Sequence, residues 1–501
     1  MMRGAALIVV AIALSGCAQP KLAEEVPVVQ LPVAADPTVS FSLSFRVGSQ
    51  NDPPGKEGLA FLTGQMIADA ATERNSLEAI LEKLYPLAAD YDVRVDRELT
   101  TLTGRTHVDN VAAYLELFTD AFARPAFLAS DFERVRTDAI NYIENELRYA
   151  SDEELGKAAL YHASFAGTPY AHPTEGTAAG LRAITLDDVR RFYREHYTAA
   201  NAVVGIGGGY DRATADAFRA AVAALPEGTP TPPPEIDPPP LEGREVLLVA
   251  KPGADASLSL GFPLGVRRGE RDFYALWIAN SWFGEHRNQA SHLFQVIREL
   301  RGLNYGDYSY IEAFPDGGDY QMPPTNVPRR HQLFEIWLRT LPNEQAPFAL
   351  RAALRELERL VETGMSREDF ELTRSFLKKY AVHFAETTEE RLGYAVDDVI
   401  YGIPPPGHLE RFRQMMDELT LEDVNAAIRR HLQHENLRIA IVTGDADGLA
   451  ATLASGEPTP ISYATPKPDH VLAEDREIER WPLRIDRSRI TILPVARAFA
   501  E

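Results

Sequence analysis

Thr185-Leu186-Asp187-Asp188-Val189, followed by His196, Asn201, Ile206 and Gly209, returns 235 positions later as Thr420-Leu421-Glu422-Asp423-Val424 with His431, Asn436, Ile441 and Gly444. Each copy reads as an amphipathic helix running into an apolar strand that stops at glycine. Upstream, Asp131-Phe132-Glu133, Arg136 and Tyr142 recur as Asp369-Phe370-Glu371, Arg374 and Tyr380 at an offset of 238, so a small insertion or deletion separates two registered blocks. A period this long is a copied domain and not a solenoid repeat.

Working outward, Val39 to Val47 alternates as a strand with Phe41, Leu43 and Phe45 on one face. Helical spacing runs from Gly58 to about Thr72 and again over Asn110–Phe122 and Ala129–Ala150, with strand-like stretches near Tyr91–Val95 and Thr100–Val108. Pro226 to Pro240 holds eight prolines in fifteen residues, which excludes a helix or a central strand and marks a boundary. A strand over Glu245–Ala250 restarts the pattern. Strands and helices in mixed order favour an α+β fold of two homologous domains over a doubly wound parallel sheet. The expected domains are 38–225 and 244–460, joined by a proline-rich linker at 226–243, with a tether at 17–37 and a proline-containing tail at 461–501.

The net charge of −22 argues against a nucleic-acid partner and against electrostatic docking on anionic lipid. Arg3, the apolar run Ala5–Leu14 and Ser15-Gly16-Cys17 suit an export signal over 1–16, too short to span a bilayer. Leu14-Ser15-Gly16-Cys17 resembles a bacterial lipobox, which implies lipidation of Cys17 and a chain tethered in the cell envelope. Ala18 in the next position, where Asp would favour inner-membrane retention, implies the periplasmic face of the outer membrane. Cys17 is the single cysteine, so the exported body forms no intrachain disulfide and packing alone stabilises it.

Three segments resemble the pitrilysin/insulinase-type (M16) metallopeptidases. They are Phe41–Ser49 with Gly55-Lys56-Glu57-Gly58-Leu59-Ala60, Leu293–Tyr305, and Pro466-Lys467-Pro468 through Glu474–Glu479. The resemblance implies the duplicated pitrilysin/LuxS-like fold. Active members carry His-x-x-Glu-His after Gly-Leu-Ala, two zinc ligands and a general base on one helix face, and a carboxylate further along. The matching positions here are Phe61, Gly64 and Gln65. Phe61 ligates nothing, Gly64 has no side chain, and Gln65 is a weak neutral ligand. Glu144 or Glu146 would match the downstream carboxylate, but one carboxylate does not hold zinc, so both are expected to be solvated or structural.

The family also sets an arginine and a tyrosine, seven residues apart, against substrate backbone and developing oxyanion. Arg298 and Tyr305 match in identity and spacing. Guanidinium supplies fixed donors to carbonyls, and phenol a directed donor where charge forms. The plainer reading is that Arg298 pairs with Glu299 and Tyr305 fills a loop. The resemblance therefore implies a lipoprotein that binds no zinc itself and forms a heterodimer with a zinc-bearing subunit, to which it offers Arg298 and Tyr305 for peptide substrates. The alternatives are a proteolytically inactive binding or assembly protein of the envelope, and an active metalloendopeptidase with an atypical site.

Overall fold

The computed structural model describes residues 26–314, 324–325 and 327–501. The export signal and Cys17 lie outside them. Eleven strands are present among the described residues: β1 Val28–Pro32, β2 Thr38–Phe45, β3 Asp90–Val95, β4 Thr100–His107, β5 Ala202–Gly208, β6 Arg244–Ala250, β7 Ala256–Leu264, β8 Asp307–Tyr310, β9 Gln332–Leu341, β10 Leu437–Thr443 and β11 Ile490–Pro494. They form two mixed sheets, in the orders β1-β5-β2-β4-β3 and β11-β6-β10-β7-β9-β8. The parallel pair β1/β5 matches β6/β10, and the antiparallel runs β5-β2-β4-β3 and β10-β7-β9-β8 match each other. The fold is thus α+β and duplicated, and both copies of the repeated helix start with the same cap. The Thr185 and Thr420 hydroxyls accept from Asp188 N–H and Asp423 N–H, and each aspartate carboxylate returns the bond to the threonine N–H.

Strand β2 shows how the sequence sets the layers. Val39, Phe41, Leu43 and Phe45 bury against the helices of their own half, while Ser40, Ser42 and Ser44 face the other way and are buried too. The second face is covered by a helix from the other half. Thr388–Tyr401 lies on β5, β1 and β2, and Asp152–Ser164 lies on β7 and β10. Small residues admit these crossing helices. A Cβ at Gly205 would come 2.8 Å from Val396 Cγ2, and one at Gly207 3.1 Å from Thr388 Cγ2. Each half therefore completes its partner's sheet.

Two expectations are corrected. The 17–37 tether ends at Val28, because β1 pairs in parallel with β5 and supplies the sheet's edge. The 461–501 stretch, expected as a proline-containing tail, holds regular structure. It carries the helix Asp469–Ile478 and β11, which extends the second sheet beside β6. Its last residues then cross to the first half, where Arg148 Nε donates to Ala498 O at 2.8 Å and Val495 and Phe499 enter the core. Residues 226–243 carry neither helix nor strand, as their prolines require.

Candidate functional site

The helix Leu59–Ala68 begins at a buried carboxylate. Gly58 N–H and Ala60 N–H donate to Asp52, each at 2.7 Å, so Asp52 satisfies two of the helix's free amides. Burial pushes this carboxyl up to about 8, against the opposing backbone bonds. His172 Nε2 lies 3.8 Å away, and burial pushes that imidazole down to about 4. His172 Nδ1 donates to Pro173 O at 2.7 Å, so the His-Pro turn props the helix start.

The degenerate motif follows. Gly64 is buried against β3, where a Cβ would fall 2.5 Å from Val95 Cγ2 and 3.4 Å from Val93 Cγ2. The space a glutamate would need at that position is occupied by valine. Phe61 is half-buried and lines a cavity of about 300 Å³ between the halves. Gln65 is half-buried beside it on the helix and is not among the cavity's lining residues. Zinc does not fit here: the three positions offer an aromatic ring, a packed glycine and one neutral amide. Among the described residues no group of three or more His, Cys, Asp or Glu side chains is arranged to hold a metal ion.

The long helix Ala129–Asn141 continues as a π turn over Tyr142–Leu147. Tyr142 and Leu147 of that turn reach the cavity; Glu144 and Glu146 are not among its lining residues. Glu144 instead accepts from Arg182 at 2.7 Å, and Glu146 is exposed. Across the cavity, buried Arg329 clamps buried Asp96 with two bonds of 2.6 and 2.8 Å and donates to Tyr161 Oη at 2.9 Å. The pair joins the turn after β3 to the segment before β9, fixing one half against the other.

Arg298 and Tyr305 are brought together elsewhere. Arg298 ends a π turn over Phe294–Glu299, and its guanidinium lies 4.6 Å from the Phe294 ring centroid and 5.1 Å from that of Tyr305. It also donates to Glu299. Tyr305 is 71% exposed and has the Arg339 guanidinium 5.5 Å from its ring. Arg339 Nε in turn donates to Glu153 of the crossing helix at 2.9 Å. Neither Arg298 nor Tyr305 lines the inter-half cavity.

The segment between them is held by the C-terminal stretch. Fully buried Arg301 donates to Glu474 at 2.7 Å and to Asp475 at 2.8 Å, and Gly302 follows in the left-handed region at φ +70°. Asn304 Nδ2 donates to Asp307 at 2.7 Å. The third resembling segment, Glu474–Glu479, thus positions the second.

Sequence reasoning missed the crossing helices and the cavity's charged lining, Glu335 and Lys157 above all. One signal was present: Leu333-Phe334-Glu335-Ile336-Trp337-Leu338 sets a single carboxylate inside an apolar strand. The repeat's His431 sits at its helix end, where Nε2 lies 2.6 Å from Asp272 Oδ2.

Two family models match adjacent parts of the chain: the one described as insulinase (peptidase family M16) covers residues 28–178, and the one described as peptidase M16 inactive domain covers 183–377. Among curated relatives, an uncharacterized zinc protease of Streptomyces coelicolor is 23% identical over 342 residues, 66% of this chain and 69% of the relative. An uncharacterized zinc protease of Rickettsia bellii is 24% identical over 326 residues, 64% of this chain and 76% of that one. A crystal structure of a peptidase M16 inactive domain from Pseudomonas fluorescens superposes with a TM-score of 0.72 at 25% identity, covering 84% of this chain and 96% of that one. A protease from Helicobacter pylori gives a TM-score of 0.72 at 17% identity over 84% of this chain and 97% of its own.

Proposed function

We propose, from the premise that this chain is a homologue within the M16 (insulinase) peptidase family, that it is the non-catalytic subunit of a peptidase pair. The observation that carries the reading is an asymmetry. At Gly64 the room for a general base is filled by Val95, whereas Tyr305 stands open at the surface against two half-buried arginines, Arg298 and Arg339. In this reading a separate subunit supplies zinc, while Arg298 and Tyr305 position peptide and stabilise developing negative charge. The pair sits at the periplasmic face of the envelope, held by lipid on Cys17.

The experiment is co-purification from detergent-solubilised envelope, followed by assays with and without the captured partner. Alone, the chain contains no stoichiometric zinc and cleaves no peptide; chelator-sensitive proteolysis by the lone chain would falsify the reading. With a zinc-bearing relative present, Arg298→Ala or Tyr305→Phe lowers turnover by roughly tenfold to a thousandfold, the range for one oxyanion donor. Unchanged turnover removes both from the mechanism.

A further inference from the structure

The cavity behind Phe61 has its own chemistry, drawn from both halves. Val93 and Val95 of β3, with Phe61 and Tyr142, form the first-half wall, and Leu333 and Glu335 of β9 face them. Glu335 is 8% exposed, and its Oε1 has no hydrogen-bond partner among the described residues. Native folds pair the great majority of buried polar groups, so an unpaired carboxylate oxygen on a cavity wall marks a place for a donor. The neighbours of Glu335 do not supply it. Lys157, from the crossing helix, donates instead to Phe314 O at 3.1 Å and lies 3.9 Å from Glu154. The Ser259 hydroxyl on β7 is near enough to lower the proton affinity of Glu335 but makes no hydrogen bond of ordinary geometry to Oε1, and the Tyr310 hydroxyl on β8 is engaged with His286 at 2.7 Å.

One aromatic wall already accommodates a cation: the Arg97 guanidinium lies 4.0 Å from the Tyr161 ring centroid, and both residues line the cavity. Phe61, Tyr142 and Phe314 line the same space. A carboxylate lacking a donor, a second carboxylate on Glu154 and aromatic walls are the features that recognise an ammonium group.

We propose that this cavity binds a compact primary ammonium group, from a free diamine or from the amino end of a short peptide, with Glu335 as its ionic partner and Glu154 beside it. The site requires no second subunit and stands apart from the Arg298/Tyr305 reading. Burial, opposed by Lys157 and the Ser259 hydroxyl and reinforced by Glu154, raises the proton affinity of the empty Glu335 carboxyl.

The test is isothermal titration calorimetry on the purified chain with putrescine, triglycine and N-acetyl-triglycine, in buffers of differing ionisation enthalpy. Putrescine or triglycine binds with measurable heat, and N-acetyl-triglycine gives none. Putrescine alone assigns the source to free diamines, triglycine alone to peptide ends. Glu335→Gln weakens binding about tenfold to a hundredfold, as loss of a charged hydrogen bond does. Ala158→Leu, which narrows the cavity without touching a charge, weakens it too in a chain that keeps its melting temperature. No heat from either amine, or affinity unchanged in both variants, overturns the proposal.

Discussion

The helix Leu59–Ala68 and the segment Phe294–Tyr305 occupy the two halves of one duplicated frame and have been treated differently. The first is closed: Val95 fills the space above Gly64, and Asp52 and His172 are buried beneath its start. The second is open, with Tyr305 at the surface and its support, Arg301, buried behind it. Loss of ligands alone would leave a vacant pocket; here one position has been repacked. The difference teaches that packing occupies the first wall, while the second presents an exposed tyrosine that packing does not need.

The strongest way to break the comparison is to release the two walls from each other. Arg329→Met strands buried Asp96 without its bidentate partner, and a broken buried pair costs about 3–5 kcal/mol. Thermal denaturation should show a large drop in Tm, and a drop within a degree would mean that the halves are held by the crossing helices alone.

Next comes the attempt to reverse the first wall. Gly64→Glu overpacks against Val95 and should cost about 1–3 kcal/mol, with partial recovery in the Gly64→Glu/Val95→Ala double variant. Adding Phe61→His and Gln65→His to Gly64→Glu should leave zinc content, measured by atomic absorption, substoichiometric while Val95 remains. Stoichiometric zinc in that triple variant would show that only the ligands had been lost.

A smaller effect is read in pH. Between about 4 and 8 the folded chain keeps a proton on Asp52 that the unfolded chain has released, so this group makes stability fall as pH rises. His172 acts oppositely from about 4 to its ordinary 6.5, where the unfolded chain holds the extra proton. The two oppose one another below about 6.5, which leaves from Asp52 a falling contribution between there and 8 of at most about 1.4 kcal/mol per pH unit, beside that of Glu285, whose carboxyl burial pushes up to about 7. Urea denaturation across that range should show a falling slope, and Asp52→Asn should make it shallower. The smallest effect belongs to the open wall: Tyr305→Ala on the isolated chain should change stability by no more than about 0.5 kcal/mol. A larger loss would make Tyr305 a packing residue.

Much of the frame was legible in residue patterns. The alternation Val39, Phe41, Leu43, Phe45 gave β2, and the recurrence of Thr185–Val189 as Thr420–Val424 with its amphipathic pattern gave the two repeated helices. β1 escaped because Val28–Pro32 is short, proline-bounded and paired only to β5, whose residues lie far along the chain. β11 escaped for the same reason, as its partner β6 lies far upstream. Of the candidate site, Phe61, Gly64 and Gln65 could be named from the motif, but that Val95 fills the room above Gly64 could not, since no local pattern records which strand a helix meets. Arg298 and Tyr305 could be named as well; that they stack on one another, with Arg301 pinned by Glu474 and Asp475, required the fold.

By itself the sequence determined that the chain is a duplication and where β2 and the two repeated helices lie, and its resemblance to the M16 family marked Phe61, Gly64 and Gln65 as a lost metal motif, because periodicity and residue chemistry are local properties. Only the tertiary structure decided that each half lends a helix to the other's sheet, that a lone Glu335 faces a cavity with Lys157 turned aside, and that one wall is sealed while the other is open. Those outcomes depend on contacts between residues tens to hundreds of positions apart, where shape and burial choose among partners that the local sequence leaves equivalent.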